Sequence, residues 1–165
     1  MIELSQIIID ENYATKWNTS GRDFIVLTNN GEPINKHLYR KGMFNNKIKD
    51  YFMLFKMVEA YYPDSITKNK KAKLHLEDRS VILNKDGIEK VEFSSFQHPY
   101  LVDNSCIYSL DQNYYNIETG ELYCNSFTSM ISLEYLFLDN RYDKDPNKCG
   151  VMKINKKDGS WELFK

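Results

Sequence analysis

Three histidines, His37, His75 and His98, are the side chains best suited to act as general bases or metal ligands near neutral pH. They are scattered, and each reads more readily as a surface or hydrogen-bonded residue than as one member of a catalytic set. His98-Pro99 reads as a turn. The cysteines Cys106, Cys124 and Cys149 could form a zinc site with a histidine, but their separations match no usual ligand spacing. Odd in number and without a C-x-x-C pair, they read as reduced thiols. Asp143, Asp145 and Asn147 alternate as calcium ligands do. A calcium loop needs glycine at its sixth position and a bidentate glutamate at its twelfth, where this chain has Lys148 and Ile154. No phosphate-binding G-x-x-x-x-G-K, no G-x-G-x-x-G, no H-E-x-x-H and no G-x-S-x-G occurs. The expectation is a chain without metal, disulfide or cofactor, and without a compact catalytic signature.

Charge gives a different lead. The net charge of -1 hides an excess of +7 between positions 36 and 73 and an excess of -8 between positions 74 and 145. The basic segment is interleaved with Tyr39, Phe44, Tyr51, Tyr61 and Tyr62, the composition that follows a phosphate backbone and stacks exposed bases. Arg40, Lys41, Lys68, Lys70, Lys71, Lys73, Tyr61 and Tyr62 are therefore the candidate contacts to nucleic acid or another partner. Lysine rather than arginine favours nonspecific phosphate contact over base reading. The competing explanation is a solvated loop and helix face. The acidic segment invites the opposite idea, a surface that meets a basic partner or imitates nucleic acid. Trp17 and Trp161 are further contact candidates if exposed.

The elements that position these residues announce themselves by turn chemistry. Four apolar runs lead through Asn29-Asn30-Gly31, Asn84-Lys85-Asp86-Gly87, Glu118-Thr119-Gly120 and Lys157-Asp158-Gly159 into a second apolar run. Each pattern reads as a β-hairpin. The run Tyr135-Leu136-Phe137-Leu138 also reads as strand. Between Lys47 and Tyr62, Ile48, Tyr51, Phe55, Val58 and Tyr62 fall at spacings of three and four before Pro63. That spacing predicts one helix near 47–61, with an exposed basic loop at 67–73. The fold class expected is mainly β, an antiparallel hairpin array in the form of an open sheet, a sandwich or a propeller-like arrangement, with α+β as the alternative.

The length of 165 residues fits a single domain spanning 1–165, and 14% aromatic content argues against disorder. No run approaches the roughly 20 apolar residues of a membrane span, so a cytoplasmic protein with no membrane partner is expected. The bias to Asn, Lys, Ile and Tyr points to AT-rich coding, as in a low-GC bacterium or its phage. Together these features favour a small non-catalytic binding protein with a protein partner, encoded by a phage or mobile element and inhibiting a nucleoprotein or enzyme through charged surfaces. The alternative is a nucleotide- or nucleic-acid-processing enzyme whose histidines and carboxylates meet only in the fold. Convergence of the histidines in one cleft would favour the enzyme, and exposed aromatic surface beside charge would favour the binder.

Overall fold

The computed structural model describes residues 3–6, 24–41, 50–63, 72–125 and 128–165. Their backbone is organised in strands, and no helix occurs among the described residues. The first sheet contains β1 (Glu3–Gln6), β2 (Phe24–Asn29), β3 (Glu32–Pro33), β4 (Tyr39–Lys41), β5 (Tyr51–Pro63), β6 (Ala72–Asn84) and β7 (Glu89–Glu92). Its order is β1-β2-β4-β5-β6-β7, with β3 paired to β2. The second sheet contains β8 (Tyr100–Leu101), β9 (Ile107–Leu110), β10 (Asn113–Asn116) and β11 (Leu122–Asn125), and the third contains β12 (Thr128–Ile131), β13 (Tyr135–Asn140), β14 (Gly150–Asn155) and β15 (Trp161–Phe164). Every pairing is antiparallel. Among the described residues the sheets are open, and none closes into a barrel.

All four expected hairpins form. Gly31, Gly87, Gly120 and Gly159 lie in their connections with φ between 70° and 80°. The turns at 116–120 and 155–159 share one design. Gly120 N–H donates to the Asn116 carbonyl at 2.9 Å, and Gly159 N–H donates to the Asn155 carbonyl at 2.8 Å. In each, the asparagine carboxamide accepts the N–H two residues on, from Glu118 at 2.8 Å and Lys157 at 2.9 Å.

The helix expected near 47–61 is corrected. Tyr51–Pro63 is strand β5, paired along its whole length with β6 from Tyr51↔Asn84 to Pro63↔Ala72. Positions 47–49 lie outside the described residues. The cause of the misreading is burial on both faces, because a strand covered on two sides carries a nearly continuous apolar run that fits helical spacing as well. Leu54 joins Leu27, Tyr39, Val81 and Leu83 in a cluster on one face. Met53 joins Ile82, Phe93, Tyr108 and Ile117 on the other. Pro63 therefore ends a strand rather than stopping a helix. Of the expected basic loop, positions 67–71 lie outside the described residues, whereas Ala72 and Lys73 open β6.

The cluster around Met53 and Ile82 ties the first sheet to the second, with Tyr108 edge-on to Phe93 at 5.3 Å and stacked on Tyr115 at 5.0 Å. A third cluster ties the second sheet to the third: Ile107, Tyr123 and Cys124 meet Leu136, Leu138, Met152 and Ile154. Those last four are wholly buried, and each stabilises the fold by about 1.5–3 kcal/mol through removal from water. The turn at Gly159 enters this contact directly. Tyr123 Oη donates to the Gly159 carbonyl at 2.9 Å and accepts from Asn116 Nδ2 at 3.0 Å, and Cys106 N–H donates to the Lys156 carbonyl at 2.8 Å.

Candidate interaction surface

Among the described residues, those with catalytic or ligating potential form no metal-binding group. His37 is exposed between β3 and β4, its ring edge-on to Tyr39 at 6.2 Å, and His98 is exposed between β7 and β8. His75 lies on β6, its backbone opposite Ala60. Cys106 and Cys124 are buried. Burial first of all pushes their thiols up, to about 11 and about 12 respectively. In the Asp143–Asn147 segment the carboxylates are used on local backbone. Asp143 accepts Asp145 N–H at 2.8 Å, and Asp145 accepts Asn147 N–H at 2.9 Å. Among the described residues, no three of His, Cys, Asp or Glu stand close enough to share a metal ion.

The basic candidates divide. Tyr61, Tyr62 and Lys73 are brought together at the far end of the β5–β6 hairpin, where Tyr61 pairs with Leu74 and Tyr62 with Lys73. Lys68, Lys70 and Lys71 lie outside the described residues, in the segment joining those strands. Arg40 and Lys41 sit elsewhere, opposite Phe55 and Leu54. Tyr61 lies seven positions along the strand from Leu54, a span of about 23 Å at ~3.3 Å per residue. Arg40 is ion-paired with Asp78.

Lys56 belongs to the same basic segment but is consumed by the fold. Its ammonium lies 2.8 Å from Glu89 and 2.5 Å from Glu92. Arg79 holds Glu77 at 2.6 Å and Glu92 at 3.2 Å, and Tyr39 Oη donates to Glu89 at 2.8 Å. Register explains the convergence: Tyr39 is opposite Lys56, Lys56 is opposite Arg79, and β7 borders β6. Burial opposes the charge on Lys56, but hydrogen bonds to Glu89 and Glu92 outweigh it and raise its pKa. For Glu92 burial pulls upward, and hydrogen bonds from Lys56 and Arg79 win, lowering its pKa. Burial, then the Glu89 hydrogen bond, raises Tyr39. These mutually satisfied charges hold β4 to β7 in place.

The third sheet presents a different surface. Its two central strands, β13 and β14, alternate strictly, with Leu136, Leu138, Met152 and Ile154 turned to the second sheet. The register therefore places Met130, Tyr135, Phe137, Val151 and Phe164 together on the outer face. Met130 is 69% exposed and Phe164 is 52% exposed. Charge is interleaved with this apolar surface. Lys153 pairs with Glu162 at 2.9 Å and stands 4.3 Å from the centre of the Tyr135 ring, while Arg141 clasps Asp139 at 2.7 Å. Trp161 is partly exposed, and its indole N–H donates to Glu121 at 3.3 Å. Trp17 lies outside the described residues.

This outer face was missed in the sequence, although a signal was present. Tyr135-Leu136-Phe137-Leu138 has apolar residues at both parities, so one strand face had to be either doubly covered or an exposed apolar surface. The sequence matches no protein-family model, and no curated protein or solved structure is significantly similar to it. No helix among the described residues is long and apolar enough to cross a membrane, which says nothing of spanning by strands.

Proposed function

We propose that this chain is a non-catalytic binding protein that covers a surface of a protein partner with the outer face of its third sheet, inhibiting that partner by occlusion. The observation that supports the reading is the alignment of Met130, Tyr135, Phe137, Val151 and Phe164 on one sheet face, interleaved with the Lys153–Glu162 and Asp139–Arg141 pairs. Aromatic and methionine side chains with a charged surround make up the centre and rim of many protein interfaces. A phage or mobile-element origin fits the composition, and a nucleoprotein or enzyme is the target class. The pairing of Arg40 and Lys56 with carboxylates favours a protein partner over free nucleic acid, since it removes two cations from the basic segment.

The test is affinity purification from the native host with the wild-type chain and with the double variant Phe137→Glu/Phe164→Glu. A partner retained by the wild type and lost by a variant of unchanged circular dichroism supports the reading; equal retention overturns it. Titration of labelled single- and double-stranded oligonucleotides runs alongside. Binding at low salt that disappears when Lys68, Lys70, Lys71 and Lys73 become alanine would move the function to the basic segment and replace this proposal.

A further inference from the structure

The third sheet ends on β12, and that edge differs from the other described edges. Open edges are normally guarded by charge, proline or brevity. β1 carries Glu3, β3 carries Pro33, β7 carries Glu89, Lys90 and Glu92, β15 carries Glu162, and β8 has two residues. On β11 the Leu122 carbonyl accepts the Lys148 ammonium at 2.5 Å. β12, Thr128-Ser129-Met130-Ile131, has no charge and no proline, and all four residues are exposed.

The direction of its backbone groups follows from the ladder. Ser132 N–H donates to the Tyr135 carbonyl at 2.8 Å, in register with Met130↔Phe137 and Thr128↔Asp139. Hydrogen-bonded and non-bonded pairs alternate in an antiparallel ladder, so Thr128 and Met130 point their backbone groups at β13, and Ser129 and Ile131 point theirs outward. The outward groups of Ser129 and Ile131 lie symmetrically about Met130, so an antiparallel copy of the same strand can pair with them residue for residue.

We propose that β12 pairs antiparallel with β12 of a second copy of this chain, about a two-fold axis through Met130. In that register Ser129 of one copy exchanges both backbone hydrogen bonds with Ile131 of the other, and symmetry repeats the exchange to give four bonds. Met130 meets its own copy as the non-bonded pair on the axis, where Cα atoms lie about 4.5 Å apart. A two-fold interface sets each residue near its own equivalent, so a charged edge would meet like charge; β12 is free of that repulsion. The axis is perpendicular to the sheets, and both outer faces emerge on the same side of one continuous eight-stranded sheet. This pairing is made by backbone groups at the edge and holds whether or not the outer face, to which Met130 also belongs, binds a partner.

Cysteine cross-linking reads the register. Met130→Cys, in the otherwise full chain, should give an intermolecular disulfide under mild oxidation, because the non-bonded pair lies within disulfide reach. The cross-linked fraction should be at least about fivefold above that of Thr128→Cys, whose own copy lies four residues away across the axis. The wild type sets the background from Cys149, the cysteine that is not fully buried. Equal cross-linking of Met130→Cys and Thr128→Cys would overturn the register. In sedimentation equilibrium the wild type should show a concentration-dependent dimer, and Ile131→Pro, which deletes one outward N–H while leaving the β13 ladder intact, should be monomeric. A monomeric wild type at millimolar concentration would overturn the proposal altogether.

Discussion

Alanine at Gly159 separates two kinds of constraint that a turn glycine can satisfy. Gly120 and Gly159 occupy equivalent turns with φ of 70° and 74°. An L-residue held there costs about 1–2 kcal/mol. Beyond that the two sites diverge. Nothing lies within 4 Å of a Cβ built on Gly120, whereas one built on Gly159 runs into the Asn116 carboxamide and comes within 2.5 Å of the Tyr123 hydroxyl. Relieving that overlap displaces the Tyr123 bond to the Gly159 carbonyl and the Asn116 bond to Tyr123, both buried. A buried polar group left without its partner costs about 1–3 kcal/mol. Gly120→Ala should therefore lose about 1–2 kcal/mol, and Gly159→Ala about 2–5 kcal/mol. Urea unfolding followed by tyrosine fluorescence measures both. Thermal scans should show drops of about 2–8 °C and about 4–20 °C, at ~2–4 °C per kcal/mol for a chain of this length. Equal losses at the two positions would refute the claim that the Gly159 turn is a packed joint between sheets.

Three further outcomes are expected. A thiol reagent at pH 8 should titrate about one cysteine per native chain, Cys149, and all three only in denaturant, because burial raises the Cys106 and Cys124 thiols; rapid native labelling of Cys124 would contradict the packing. Lys56→Ala should destabilise by about 2 kcal/mol in chemical denaturation, roughly half the loss for a wholly buried pair because Glu89 and Glu92 stay partly exposed; a neutral result would show the network to be dispensable. Since the Glu92 pKa is lowered in the fold, its stabilisation is present above the unfolded value near 4.3 and is lost as pH falls through the folded one. Unfolding free energies measured from pH 6 down to 3 should fall, with a shallower slope in Glu92→Gln; equal slopes would remove Glu92 from the acid response.

The turns were legible in the sequence because their chemistry is local. Asn30-Gly31, Asp86-Gly87, Thr119-Gly120 and Asp158-Gly159 each place a residue tolerant of positive φ between apolar runs. The tight connection at Asp111-Gln112 was not legible, since both residues take positive φ without glycine. β5 was misread because its two covered faces erased the alternation on which strand recognition depends. The Lys56 network could not be read at all. Its members come from four strands, and their convergence depends on pairings between residues up to fifty positions apart. Of the basic candidates, the proximity of Tyr62 to Lys73 follows once β5 and β6 pair, whereas the ion pair of Arg40 with Asp78 requires the whole sheet.

The order of strands carries a kinetic consequence. In the second and third sheets each strand pairs with its neighbour in the chain, and the first sheet departs from chain order only where β4 passes β3 to reach β2. Loop closure between successive strands has a small entropic cost, and folding rate rises as contacts become local. This mainly β chain should thus fold at the fast end of its class, with β5 and β6 free to zip before later strands exist. During synthesis the third sheet follows the second, and its apolar inner face meets a sheet already displaying Ile107 and Tyr123. The interval in which Leu136, Leu138, Met152 and Ile154 stand unprotected is thereby kept short, which limits aggregation while the chain is being made.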